Sequence, residues 1–279
     1  MAASDAGLPA ETGVGRVALR GHDLDRLVDF YADIVGLTVQ DRTADRATLG
    51  AGGRPLLELI HAPDTHQRAR DETGLFHTAI RVPDRAALAD ALVRIEGDWQ
   101  LTGASDHRVS EALYLDDPEG NGVEIYCDRP ESEWPTADGR VQMDTLPLDT
   151  ESLRTEAPGT DGVPATTDVG HVHLEVSSLP AAREFYVDTL GLGVRQEFRG
   201  ALFVAAGTYH HHVGLNRWNE RSAPESGRGL AWFELRVPDR ETLDNVRERL
   251  HEAGVDISET DDGIGVHDSD GIGVRLSIE

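Results

Sequence analysis

Residues 106–126, DHRVSEALYLDDPEGNGVEIY, place a carboxylate inside a strand-like run. Glu124 alternates with Val123 and Ile125, so its side chain leaves the strand on the face opposite to theirs. Where a sheet curls, that face is an inside face. An acid there needs a partner, because burying an unpaired charge is very costly. Histidines stand in other strand-like stretches: His77 in FHTAIRV, His171 and His173 in GHVHLEV, and His210, His211 and His212 in YHHHVGL. His171 and His173 share a strand face; so do His210 and His212, with His211 pointing away. Two imidazoles and a carboxylate with open metal positions are the donors of a non-haem Fe(II) site. Each residue also has an ordinary reading: a buried Glu in a salt bridge, a strand His hydrogen-bonded in the core, a His run as a metal-tag-like tract.

The elements that would position these groups belong to a chain of 279 residues, enough for one large or two ordinary domains. Apolar residues make up 39% of it, sufficient for a real core. No run of 18 apolar residues occurs, so no spanning helix is expected. The opening MAASDAGLPAETG lacks the basic and apolar regions of a signal peptide, and residues 1–13 read as a short mobile lead-in. Asp and Glu total 51 against 26 basic residues, all of them Arg, for a formal charge of −25. Such a chain repels nucleic acid and anionic membranes. The acids are spread along the sequence, which suits the surface of a folded protein in a salt-rich cytoplasm. The single cysteine, Cys127, excludes an intramolecular disulfide and reads as a packed, inert thiol.

The chain repeats itself. LDRLVDFYADIVGL at 24–37 matches LPAAREFYVDTLGL at 179–192, and HTAIRVPDRAAL at 77–88 matches WFELRVPDRETL at 232–243, both 155 residues apart. DDPEGNGVE at 116–124 matches HDSDGIGVR at 267–275, 151 residues apart. Two halves follow, 14–130 and 168–279, joined by a linker at 131–167 rich in Pro, Thr, Asp and Gly. Each half divides again into strand, turn, helix with a closing Gly, and short strands. Four units of roughly 50 residues result, a length typical of structural repeats.

The DLxxxxxFYxxxLGL pattern and the DPEGNGxE turn resemble the vicinal oxygen chelate superfamily of glyoxalases, bleomycin-resistance proteins and extradiol ring-cleaving dioxygenases. The resemblance covers nearly all the chain outside the termini and linker. It implies an α+β fold of four βαβββ modules, in two tandem halves, forming open barrels around a metal. It also implies where ligands sit, on the first strand and on a late strand of each module. The aligned positions hold Arg16 and Glu58 in module one, His77 and Glu124 in module two, His171 and His212 in module three, and Trp232 and Arg275 in module four. Arg and Trp offer no lone pair to a metal, so modules one and four look degenerate. The metal ligands implied are His77, Glu124 and His171, which meet if module two pairs with module three; pairing module one with module two would instead gather Glu58, His77 and Glu124 and strand His171. Glu58 is expected in a salt bridge or lining a second cavity.

The stretch from His107 to Glu124 resembles the extradiol dioxygenase signature: His107, five residues, Leu113-Tyr114, two residues, Asp117-Pro118, Gly120 and Glu124. Ser105, two residues before the His, departs from the family's usual choice. The resemblance implies Fe(II), with Mn(II), Zn(II) or Ni(II) as alternatives, and a small aromatic diol and O₂ as reactants. His212 resembles the acid–base residue, Tyr114 the residue that hydrogen-bonds a substrate oxygen, and His107 a contact at the mouth. Tyr114 as a packing residue and His107 as a solvated turn residue are the plain alternatives. A glyoxalase-like isomerase, with His212 as fourth ligand, and a non-catalytic small-molecule binder are the competing functions. Oligomeric state stays open, a homo-oligomer included.

Overall fold

Strand-forming runs such as GVGRVALRG open each of four βαβββ units in the computed structural model, which describes residues 7–137 and 139–279. Unit one holds β1 (Gly13–Gly21), α1 (Leu24–Asp29), β2 (Thr38–Arg42), β3 (Arg46–Ala51) and β4 (Arg54–His61). Unit two holds β5 (Gly74–Arg81), α2 (Arg85–Asp98), β6 (Gly103–Asp106), β7 (Ser110–Asp116) and β8 (Gly122–Asp128). The connecting segment carries β9 (Thr136–Ala137), β10 (Arg140–Val141), β11 (Leu146–Pro147) and α3 (Thr150–Arg154). Unit three holds β12 (Asp168–Glu175), α4 (Leu179–Arg183), β13 (Gly193–Phe198), β14 (Ala201–Ala205) and β15 (Val213–Asn216). Unit four holds β16 (Gly229–Val237), α5 (Arg240–Glu252), β17 (Ser258–Thr260), β18 (Gly263–His267) and β19 (Gly273–Ile278).

The units pair across the two sequence halves. One curled sheet runs β17-β18-β19-β16-β1-β4-β3-β2 and joins units four and one; the other runs β11-β6-β7-β8-β5-β12-β15-β14-β13 and joins units two and three. Within a unit the first strand lies parallel to the last, β5 beside β8 and β12 beside β15. Between units the first strands meet antiparallel, β5 against β12 with His77 opposite His173.

Short-range chemistry sets the helix ends. Asp23, Asp84, Ser178 and Asp239 each accept a hydrogen bond from a backbone N–H of the first turn. The two Phe-Tyr pairs lie where α1 and α4 widen into π turns, Phe30–Ile34 and Glu184–Thr189. Gly36 and Gly191 then take φ of 91° and 92°, a left-handed conformation that closes a helix and favours glycine. Tyr31 donates its hydroxyl to Asp117 at 3.1 Å, and Tyr186 donates to Asp268 at 3.0 Å. The repeated Tyr of one unit therefore anchors the repeated turn of the next.

Two expectations are corrected here. Residues 1–6 of the lead-in lie outside the described residues, but Leu8 is buried and its N–H donates to the Gly191 carbonyl at 2.8 Å, so this part is docked. The segment at 131–167 is more than a tether: β11 extends the second sheet beside β6, and Leu153 is fully buried in the core. Cys127 is buried, and burial, with Glu111 and Asp128, pushes its thiol up to about 12, so it is an inert group. Among the described residues no helix is long and apolar enough to cross a membrane.

Candidate active site

Three neighbouring strands at the middle of the second sheet carry the donors: β5 brings His77, β8 brings Glu124, and β12 brings His171 and His173. All four are buried. Glu124 Oε2 lies 2.8 Å from His77 Nε2 and 3.2 Å from His171 Nε2. His77 Nε2 nevertheless has no hydrogen-bond partner: the carboxylate is close but misdirected. One nitrogen each of His77, His171 and His173 also fall within 4.8 Å of one another. An orphaned buried nitrogen beside a carboxylate and a second imidazole is a donor set that fits a divalent metal.

The charge states fit as well. Burial holds the His171 imidazolium down to about 4, against the opposing pull of Glu124, and keeps His173 well below the usual histidine range. Both shifts favour the neutral ring that a metal ligand must be. Burial alone would raise the Glu124 carboxyl, but His171 and His77 outweigh it and hold it well below the usual range, so it is an anion.

The run 210–212 is placed differently from the expectation. β15 begins only at Val213, so residues 206–212 are irregular and strand alternation does not apply. His211, not His212, enters the cavity beside His173 and His171. His212 stacks on Tyr209, accepts from the Ala206 N–H at 3.2 Å, and faces a second cavity with Arg81 and Arg236. It does not join His77, Glu124 and His171.

A chain of hydrogen bonds orients His211. Asp128 Oδ1 accepts from His210 Nε2 at 2.9 Å, which leaves His210 Nδ1 to accept from His211 Nδ1 at 2.7 Å. His211 Nε2 then carries a lone pair and lies 2.9 Å from His173 Nε2, which donates to it. That contact engages His173 Nε2 and leaves its Nδ1 buried without a partner. Gly214 makes room for this ring: a Cβ there would stand 2.3 Å from His173 Nε2.

Across the cavity, His107 Nδ1 donates to the Asp144 carbonyl at 2.7 Å, so its Nε2 accepts from the Tyr114 hydroxyl at 2.6 Å. Burial, reinforced by Glu124, holds the Tyr114 phenol well above its ordinary range and therefore neutral. The cavity encloses about 470 Å³ and is bounded by these residues together with Ser105, Phe76, Phe203, Met143 and Trp218.

The Glyoxalase/Bleomycin resistance protein/Dioxygenase superfamily model matches residues 13–125 and 168–275, most of the chain. The chain belongs to this superfamily. Catechol-2,3-dioxygenase of Bacillus subtilis (strain 168) is 40% identical over 268 residues, 92% of this chain and 94% of that relative. Two solved superfamily-type structures share the fold. One, from Bacillus subtilis and provisionally described as a dioxygenase, has a TM-score of 0.68 at 15% identity, over 98% of this chain and 86% of its own. The other, glyoxalase I from Zea mays, has a TM-score of 0.60 at 17% identity, over 96% and 92%.

In this superfamily member the first sheet has lost the donor set at the aligned positions. Arg275 stacks on Trp232 at 3.8 Å, Arg16 binds Glu234 at 2.9 Å, and Glu58 is salt-bridged to Arg46. Several residues of the working sheet were not legible as a site. His211 enters the cavity although strand alternation points it away, because residues 206–212 leave the strand and the alternation does not apply to them. Met143, Asp144 and Thr145 reach the cavity from the connecting segment, where no local pattern marks them.

Proposed function

We propose that this chain is an Fe(II)-dependent extradiol dioxygenase that opens an aromatic ring bearing adjacent hydroxyls, adding both atoms of O₂. The observation that carries the reading is Glu124 Oε2 at 2.8 Å from the unpartnered His77 Nε2 and 3.2 Å from His171 Nε2. The relative named catechol-2,3-dioxygenase, 40% identical over almost the whole chain, supports it.

His77, Glu124 and His171 would hold the metal on one side, with one anionic and two neutral donors. Fe(II) bound there would supply a Lewis-acidic, redox-active centre for a diol and O₂. Tyr114 gives its own proton to His107, so its oxygen accepts a hydrogen bond from a substrate hydroxyl and orients the ring. His211 Nε2, which accepts from His173 Nε2, gives up that contact to take the diol proton and returns the proton as the ring opens. Asp128 and His210 hold the His211 tautomer that this requires. The apolar part of the lining, Phe76, Phe203, Val109 and Met143, limits the water that can compete with the diol.

Anaerobic loading with Fe(II), followed by catechol and air, tests the reading. Metal bound near one per chain and a yellow ring-opened product are expected. Bound iron without any diol turnover would remove it.

A further inference from the structure

The cavity is polarised. On one side stand the donors, Tyr114 and His107; on the other, an aromatic wall starts at the donors and runs outward. The Phe76 ring lies 5.4 Å from His77 and 5.4 Å from Trp218. Phe203 lies 5.2 Å from His211 and 5.5 Å from His173. Val109 and Met143 continue the apolar lining. At the rim, Trp218 is 46% exposed and Phe198 64%, two large aromatic rings left in water on a chain of net charge −25.

Size and charge constrain what fits. An apolar cavity of about 150 Å³ holds a benzene ring, and this one encloses about 470 Å³. A bare diol would leave the aromatic wall uncovered. Among the described residues no arginine lines the cavity, and its acids are Glu124 and Asp144. A carboxylate on the substituent would be stripped of water against apolar walls, and the guanidinium near them, Arg108, is already paired with Asp144 at 3.3 Å.

We infer that the diol taken by this cavity carries an uncharged apolar substituent, aryl or branched alkyl, and no acid group. This rests on the dioxygenase reading for the position of the hydroxyls, at the donors. The ring then lies between Phe76 and Phe203, and the substituent lies along Trp218 and Phe198. Exposed aromatic rings that the substrate covers on binding account for the apolar rim, since contiguous exposed apolar surface marks a binding site.

The test compares catechol, 4-tert-butylcatechol, 2,3-dihydroxybiphenyl, 3,4-dihydroxybenzoate and 3,4-dihydroxyphenylacetate on the Fe(II)-loaded protein. Turnover gives kcat/KM in air; quenching of tryptophan fluorescence without O₂ gives Kd with no chemistry. The two apolar-substituted diols should exceed catechol by about 10–100-fold in both, the effect of burying a group of that size. Both carboxylated diols should fall below catechol. Trp218→Ala and Phe198→Ala, at half-exposed positions that tolerate truncation, should each bring the biphenyl-to-catechol ratio towards unity. Carboxylated diols that match or exceed catechol in both measurements would overturn the inference, as would ratios unchanged in both variants. If no diol is cleaved yet the order of Kd values holds, the dioxygenase reading fails and the substrate class stands.

Discussion

His77 Nε2 lies 2.8 Å from Glu124 Oε2 across two parallel strands, and the two atoms make no hydrogen bond. Two groups held this close and misdirected are arranged for a third body. Glu124→Gln keeps the shape and removes the charge. Fe(II) affinity should fall by at least about 100-fold, since losing a ligand exceeds the effect of losing a supporting contact. The melting temperature of the metal-free protein should hold. Iron content equal to wild type by elemental analysis would make Glu124 a structural acid.

His211 and His212 separate by function. His211→Phe should retain iron, because three donors remain, and lower kcat by about 10²–10⁴, the usual contribution of a positioned proton-transfer group. His212→Phe, at the second cavity, should leave kcat near wild type. Steady-state kinetics with iron content measured on the same samples decides; the reverse pattern would restore the role to His212.

Much of the fold was legible because the duplication repeats its turn chemistry. The Asp residues of the two VPDR motifs, Asp84 and Asp239, cap α2 and α5, and the closing glycines Gly36 and Gly191 take the left-handed conformation expected of them. The pairing of unit two with unit three followed from collecting a full donor set at matched offsets, and the sheet order agrees. The cavity walls were not legible. Phe76, Phe203 and Trp218 converge only through tertiary packing, and periodicity says which face a residue takes, not what stands opposite. His211 escaped because residues 206–212 leave the strand, so its phase could not be counted.

The Tyr–Asp anchors predict a pH effect. Burial raises the Asp268 carboxyl to about 6, and Tyr186 donates to it. The folded state thus holds this proton more tightly than the unfolded chain does. The stabilisation is complete below about pH 4 and is lost as pH rises towards 6. Asp268→Asn cannot titrate. The stability advantage of wild type over this variant should therefore shrink by roughly 2 kcal/mol between pH 4 and pH 7. Urea unfolding at both pH values measures it, and a constant difference would place Asp268 at an ordinary carboxylate value.

The formal charge of −25, with arginine as the sole basic residue type besides histidine, predicts salt dependence. Self-repulsion between surface acids weakens as ions screen it. Raising KCl from 0.1 to 2 M should raise Tm by more than the roughly 2–4 °C that 1 kcal/mol produces in a domain of this size. A Tm indifferent to KCl would remove the expectation of a salt-rich setting.

An extradiol dioxygenase puts both oxygen atoms of O₂ into the ring-opened diol. The most direct measurement is a turnover of an apolar-substituted catechol by the Fe(II)-loaded protein under ¹⁸O₂, with the product mass read at once. One O₂ consumed per diol and both labelled atoms in the product, before exchange with water, are expected. Product formed without O₂ uptake, or carrying oxygen drawn from the solvent, would contradict the dioxygenase reading.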